Sequence, residues 1–313
     1  MKNITYLLVI ILLSMVTFSF NSCHKGDDNN TNFSASAELP LAANNGVGNI
    51  VAEPLLINST PQVIQCVVNI SSSKALSTAA TATFGLDNTA IIAYNNANGT
   101  NYALLPAADY TVPGWTVSIP AGQTSSYLNI SIITSKVDPS QIYLLPIKLE
   151  SASNDITIDK YNEVLYCIQV KNQYDGTYVV TGSLVDNTNP AIYGLYPETI
   201  ELQTTGANTD AYYDSNVGFA ELFNTPNGSY YGSFSPIFTF SGNTVTAVTN
   251  YYGQLSGDYE RSAVISSSGV NTYTTGSPGQ PGSVFQVQYI MTQGNPAVPR
   301  TTFTQTFTYK GSR

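Results

Sequence analysis

The chain has 313 residues, of which 42% are hydrophobic and only 10% charged, with a formal net charge of −9. An acidic balance without a basic stripe excludes nucleic acid as a partner, because no run of cations is present to displace phosphate counterions. The apolar content excludes a disordered chain, the length allows two domains, and many Tyr, Thr, Ser, Asn and Gly beside few charges suit secreted β-structure.

In chain order, Lys2 gives a positive start and Ile4 to Phe20 is an almost unbroken apolar run ending at Asn21-Ser22-Cys23. Residues 1–22 read as a secretion signal rather than a membrane span. The small residue before Cys23 resembles a bacterial lipoprotein box, although Phe20 and Asn21 depart from its commonest form. That resemblance implies lipidation at Cys23 and a lipid anchor in the outer membrane. Residues 23–37 form a polar, aperiodic tether beginning His24-Lys25-Gly26-Asp27-Asp28. A short charged patch behind the cysteine resembles the surface-export signal of Bacteroidota lipoproteins, which implies display on the cell exterior; a periplasm-facing anchor is the alternative.

Residues 38–171 read as short strands between turn signals. Expected strands include Ile50 to Ile57, Val63 to Ile70, Ala80 to Phe84, Ala90 to Tyr94, Trp115 to Ile119, Tyr143 to Leu149 and Val164 to Val170. Asp87-Asn88 is expected as a turn and Asn95 to Asn101 as a loop, with no amphipathic helix longer than two turns. Seven or so strands at this spacing predict an immunoglobulin-like β-sandwich. Alternation places Cys66 in the core with Ile64 and Val68, and turns Cys167 outward, so two unpaired thiols are expected. Trp115 shares parity with Val117 and Ile119 and reads as core. Pro146 is expected to place its strand at an edge or a bulge.

Two motif series carry a resemblance over roughly 130 residues. One is Leu104-Leu105-Pro106, Asp109-Tyr110-Thr111-Val112 and Thr116 to Gly122; the other is Tyr143-Leu144-Leu145-Pro146-Ile147-Lys148-Leu149-Glu150-Ser151. Their order resembles the N-terminal domain of unknown function of Bacteroidota lipoproteins from polysaccharide-utilisation loci. Asn172-Gln173 is a short polar joint. The following Tyr174-Asp175-Gly176-Thr177-Tyr178-Val179-Val180 and Leu195 to Leu202 resemble the C-terminal β-domain of the same lipoproteins. Residues 174–313 contain about eight antiparallel strands with no crossover helix, which predicts a barrel or barrel-like sandwich. In the last strand Phe303, Gln305, Phe307 and Tyr309 oppose four threonines, a one-face-buried pattern.

Chemistry-bearing residues are sparse. The single histidine, His24, sits in the tether, which removes histidine-based nucleophilic schemes and His-ligated zinc. No motif points to a cofactor or a metal. The Gly-rich stretch Gly276 to Ser283 lacks the ending of a phosphate loop and reads as a β-loop. A glycosidase needs only two carboxyls, and Asp210, Asp214, Glu221, Asp258 and Glu260 are the candidates, but spacing selects no pair.

Aromatic residues say more. Tyrosine outnumbers phenylalanine 22 to 12, where a purely dry core would favour Phe. Tyr212-Tyr213, Tyr230-Tyr231 and Tyr251-Tyr252 form doublets, and on a strand each should bury one ring and expose the other. These six tyrosines, with Asn227 and Asn250, are the candidate glycan-binding residues; the alternative is that tyrosine merely suits half-buried strands. The family resemblance implies a non-catalytic surface lipoprotein that binds extracellular polysaccharide or oligosaccharide for an uptake system, with an uptake porin as a further partner. A structural or adhesive lipoprotein contacting protein is the alternative, and a glycoside hydrolase a third.

Overall fold

A computed structural model describes residues 34–223 and 229–313. The signal, Cys23, the first part of the tether and Asn227 lie outside the described residues. Everything described belongs to one compact unit from Ser34 to Arg313, built around two separate hydrophobic cores.

The first core lies within a sandwich. In chain order its elements are β1 (Ser36–Glu38), α1 (Pro40–Asn45), β2 (Ile50–Leu56), β3 (Gln62–Ser71), β4 (Ala80–Leu86), α2 (Asn88–Asn98), β5 (Ala103–Leu104), β6 (Tyr110–Thr111), β7 (Thr116–Ile119), β8 (Ser125–Ile132), β9 (Tyr143–Ala152), β10 (Thr157–Ile158) and β11 (Glu163–Lys171). One sheet runs β10-β1-β3-β8-β6, and the other β2-β11-β9-β4-β7 with β5 beside β9. The two sheets enclose the first core as a β-sandwich, with β2 lying parallel to β11. Strict alternation on β3 buries Ile64, Cys66, Val68 and Ile70 against Tyr166 and Ile168 of β11. Burial pushes the Cys66 thiol up to about 11, and both Cys66 and Cys167 are free. Trp115 is half-buried against this core.

Several sequence expectations are corrected here. Ala90 to Tyr94 is not a strand, Asp87-Asn88 is not a hairpin turn and Asn95 to Asn98 is not loop: residues 88–98 form the helix α2, whose three turns exceed the two expected at most. Asp87 is its N-cap, accepting from the Thr89 N–H at 3.1 Å, and Gly99 closes it with φ 65°. The β-branched pair Ile91-Ile92 suggests a strand, but only Ile91 is buried while Ile92 is 61% exposed. Ile91 packs on Leu144, Leu165 and Cys167, so the helix covers the outer face of β9 and β11. Pro146 also departs from its expected edge, because β9 is central, between β11 and β4. Its missing donor falls in a gap: pairing with β4 stops at Leu86–Ile147, and β5 pairs only as far as Leu104–Leu144.

The second core fills a barrel. Its strands are β12 (Gly176–Asp186), β13 (Glu198–Gly206), β14 (Thr209–Tyr213), β15 (Leu222–Phe223), β16 (Ser229–Tyr230), β17 (Pro236–Ser241), β18 (Thr244–Asn250), β19 (Gly257–Ile265), β20 (Thr272–Thr275), β21 (Val284–Gly294) and β22 (Val298–Gly311). The order β12-β13-β14-β17-β18-β20-β21-β22 closes because β22 pairs with both β21 and β12. β19 pairs along the later part of β21. Closure removes the exposed edges that an open sheet would carry. The interior is aromatic: Phe285 stacks on Phe307 at 4.5 Å and Tyr289 on Phe303 at 4.7 Å. The inward face of β22 is the one alternation predicts.

The joint between the two cores is not a loose polar linker. Asn172 is 3% exposed, and its Nδ2 donates to Gly206 O, Thr209 O and Asp210 Oδ2. Its Oδ1 accepts from the Tyr174 and Asp175 N–H groups. One amide side chain thereby satisfies the backbone where the chain passes from β11 to β12.

Candidate functional site

The three tyrosine doublets behave differently. Tyr212 is fully buried and Tyr213 half-buried; Tyr231 is buried and Tyr230 exposed. In the third doublet both rings are out, at 41% and 45% exposure for Tyr251 and Tyr252. Alternation fails there because β18 ends at Asn250, and the next residues turn, with Gly253 at φ 102° donating its N–H to Asn250 O. The Asn250 side chain is buried and occupied: Nδ2 donates to Ser233 O and Arg261 O, and Oδ1 accepts from Ser235 N. It shapes the turn that presents the tyrosines.

Two doublets meet through a residue that sequence reasoning missed. After β14, Asp214 Oδ1 accepts from the Asn216 and Val217 N–H groups, and Gly218, at φ 77°, bridges back to Asp214. This tight return delivers Phe219 onto Tyr251, stacked at 4.2 Å and 9°. Tyr213 meets Phe219 edge-on at 5.1 Å, and Tyr252 meets Tyr251 edge-on at 5.3 Å. The Tyr252 hydroxyl donates to Phe219 O at 2.9 Å. The result is a rigid aromatic ledge of four rings. Tyr230 belongs to the β15–β16 hairpin and is not part of it.

The ledge borders a cleft of about 390 Å³ between sandwich and barrel. Gln141 and Gln169 line it from the sandwich, and Gln203, Thr205, Phe219 and Tyr251 from the barrel. Flat rings beside amides and hydroxyls offer both an apolar face and a set of donors and acceptors. The glutamines come from sequence positions far apart, and no local spacing marks them.

The carboxyl candidates do not form such an opening. Asp258 and Glu260 are exposed, whereas Asp210, Asp214 and Glu221 are buried. Glu221 accepts from Gln305 Nε2 at 2.6 Å and from the Tyr289 hydroxyl at 3.1 Å. Burial first, and then the charge of Glu198, push the Glu221 carboxyl well above its usual range. Glu198, which spacing did not single out, is pushed up to about 7, mainly by burial. Its two carboxylate oxygens and the Tyr212 hydroxyl are closed off from solvent without a hydrogen-bond partner. A general acid must reach its substrate, and these groups face the packed interior.

Asp210 lies beneath the joint. Burial raises it to about 8, against the opposing hydrogen bond from Asn172. Thr204 has one hydroxyl proton and two carboxylate neighbours, Asp175 Oδ2 at 2.9 Å and Asp210 Oδ1 at 3.4 Å. A proton on Asp210 resolves that competition.

A family model described as "-like, N-terminal domain" matches residues 24–156. A crystal structure of a structural-genomics protein of unknown function from Bacteroides ovatus aligns with a TM-score of 0.60 at 12% identity, covering 88% of this chain and 95% of its own. This likeness carries the fold. A multidomain protein including DUF1735 from Bacteroides ovatus aligns with a TM-score of 0.48 at 13% identity, over 88% of this chain and 94% of its own. An auxiliary nutrient binding protein from Bacteroides thetaiotaomicron gives 0.47 at 15% identity, over 84% and 91%. No curated protein matches the chain.

Proposed function

We propose that this chain is a non-catalytic, glycan-binding surface lipoprotein, anchored through Cys23 in the outer membrane and serving a polysaccharide uptake system beside a porin. The observation that carries the binding role is the four-ring ledge of Tyr213, Phe219, Tyr251 and Tyr252, of which Phe219 and Tyr251 line an amide-bearing cleft. Sugar rings present C–H faces that stack on aromatic rings and hydroxyls that pair with amides. Two exposed tyrosines held rigid by a stacked phenylalanine lose little freedom on binding. Glu221 is buried and both carboxylate oxygens of Glu198 are closed off from solvent, which supports binding over glycosidase chemistry at this pair.

The test is affinity electrophoresis and calorimetry against plant, fungal and host polysaccharides. Replacing both Tyr251 and Tyr252 by Ala should weaken binding by roughly tenfold or more while the melting temperature holds, since each ring contributes about 0.5–1.5 kcal/mol beyond its area. Binding of no glycan on the panel, or unchanged affinity in the double variant, would refute the ledge.

A further inference from the structure

Two of the chain's three arginines, Arg261 on β19 and Arg300 on β22, approach the same ring, that of Tyr231. Their guanidinium carbons lie 5.7 and 5.3 Å from the centre of the Tyr231 ring. Arg300 is well provided for: Nε donates to Asp186 Oδ2 at 3.1 Å and Nη1 to Gln293 Oε1 at 2.5 Å. Arg261 donates a single hydrogen bond, from Nη1 to Gly232 O, and has no carboxylate partner among the described residues. Its Nε–H is buried without an acceptor.

The nearby acids do not repair this. Asp186 is occupied by Tyr231, Arg300, Thr301 and Thr188. Asp258 and Glu260 adjoin Arg261 in sequence, but the register shift between Gly257 and Arg261 leaves both exposed, and neither pairs with it. Burial and the charge of Arg300 both press on the Arg261 cation. The face of Tyr231 compensates only part of that cost.

We infer that Arg261, with Arg300 against the same Tyr231 ring as a second positive charge, forms an anion subsite that takes the carboxylate of an acidic sugar unit. The two Nη groups of Arg261 make only one hydrogen bond between them, and such an edge matches two carboxylate oxygens in one plane. Tyr259, two residues before Arg261, is 86% exposed, and Tyr230, beside Tyr231, is 51% exposed, so flat rings are available for the sugar. Asn250 ties this subsite to the ledge, since its Nδ2 holds Arg261 O at 2.9 Å and Tyr251 follows it in the chain. The inference rests on the glycan-binding reading for the ligand's class, but it uses different residues.

The experiment is calorimetry of the purified protein with an oligogalacturonate and with its methyl-esterified counterpart. The acid should bind about tenfold or more tightly than the ester, and added salt should erode that preference. Arg261→Gln should bring the acid down to the level of the ester. Equal binding of acid and ester, or binding of neither, overturns the subsite. So does an Arg261→Gln variant that melts earlier yet keeps the acid preference. Should that variant fail to fold, the wild-type acid-to-ester ratio still decides. Tyr251→Ala should weaken acid and ester alike. If it weakens neither while the acid preference stands, the ledge fails and the subsite survives.

Discussion

Arg313 clasps Asp175: Nε and Nη2 donate to its two carboxylate oxygens at 2.9 and 3.1 Å. Lys171, at the end of β11, approaches the same carboxylate at 3.5 Å and donates to Arg313 O. Sandwich, joint and the end of the barrel chain therefore converge on one buried acid, which also accepts from Thr204.

Asp175→Ala should cost about 3 kcal/mol in urea unfolding, because it strands two partly buried cations. Arg313→Ala should cost less, since Lys171 remains to pair with Asp175. The comparison of the two midpoints is the check. Equal losses would mean that Lys171 contributes nothing.

Stability should fall as pH rises through the range of Asp210. Its folded value is about 8 and its ordinary value 3.8, so folding favours the protonated carboxyl. The stability it contributes is complete below pH 3.8 and lost as pH climbs through 8. Glu198, at about 7, acts in the same direction. Asp210→Asn should flatten the part that Asp210 supplies, seen as a smaller difference between melting temperatures at pH 5 and pH 9. An unchanged difference would deny Asp210 that role.

Asp87 should behave in the opposite sense. The Lys148 hydrogen bond, then Thr89, lower it to about 2, so its contribution is present above pH 3.8 and disappears as pH falls through 2. Asp87→Ala should destabilise by about 1 kcal/mol through loss of the helix cap. Amide exchange should quicken first across residues 88–98. Loss of protection spread evenly over the sandwich would argue that the helix is not a separate unit.

Cys23→Ser should abolish incorporation of labelled palmitate, since only a thiol can take the lipid. Label surviving in the variant would place the anchor elsewhere. Protease accessibility on intact cells then reports which membrane face displays the chain.

The sequence by itself determined the all-β character and the inward faces of long strands. On β3 and β22, period-two alternation and burial are the same information, so Cys66, Phe303 and Phe307 were legible as core. It also marked Tyr213, Tyr251 and Tyr252 as aromatic candidates. Tertiary structure decided the rest. Helix α2 exists because Leu144 and Leu165 offer its Ile91 an outer face to cover, which outweighs the strand preference of two isoleucines. Both rings of the third doublet point outward because the buried Asn250 side chain ends the strand beneath them. Phe219 joins the ledge only through the return bend at Asp214, and the Arg261–Arg300 pair only through barrel closure, which brings β19 and β22 to either side of β21. Local spacing cannot encode such neighbours, because their proximity is set by closure of the chain on itself.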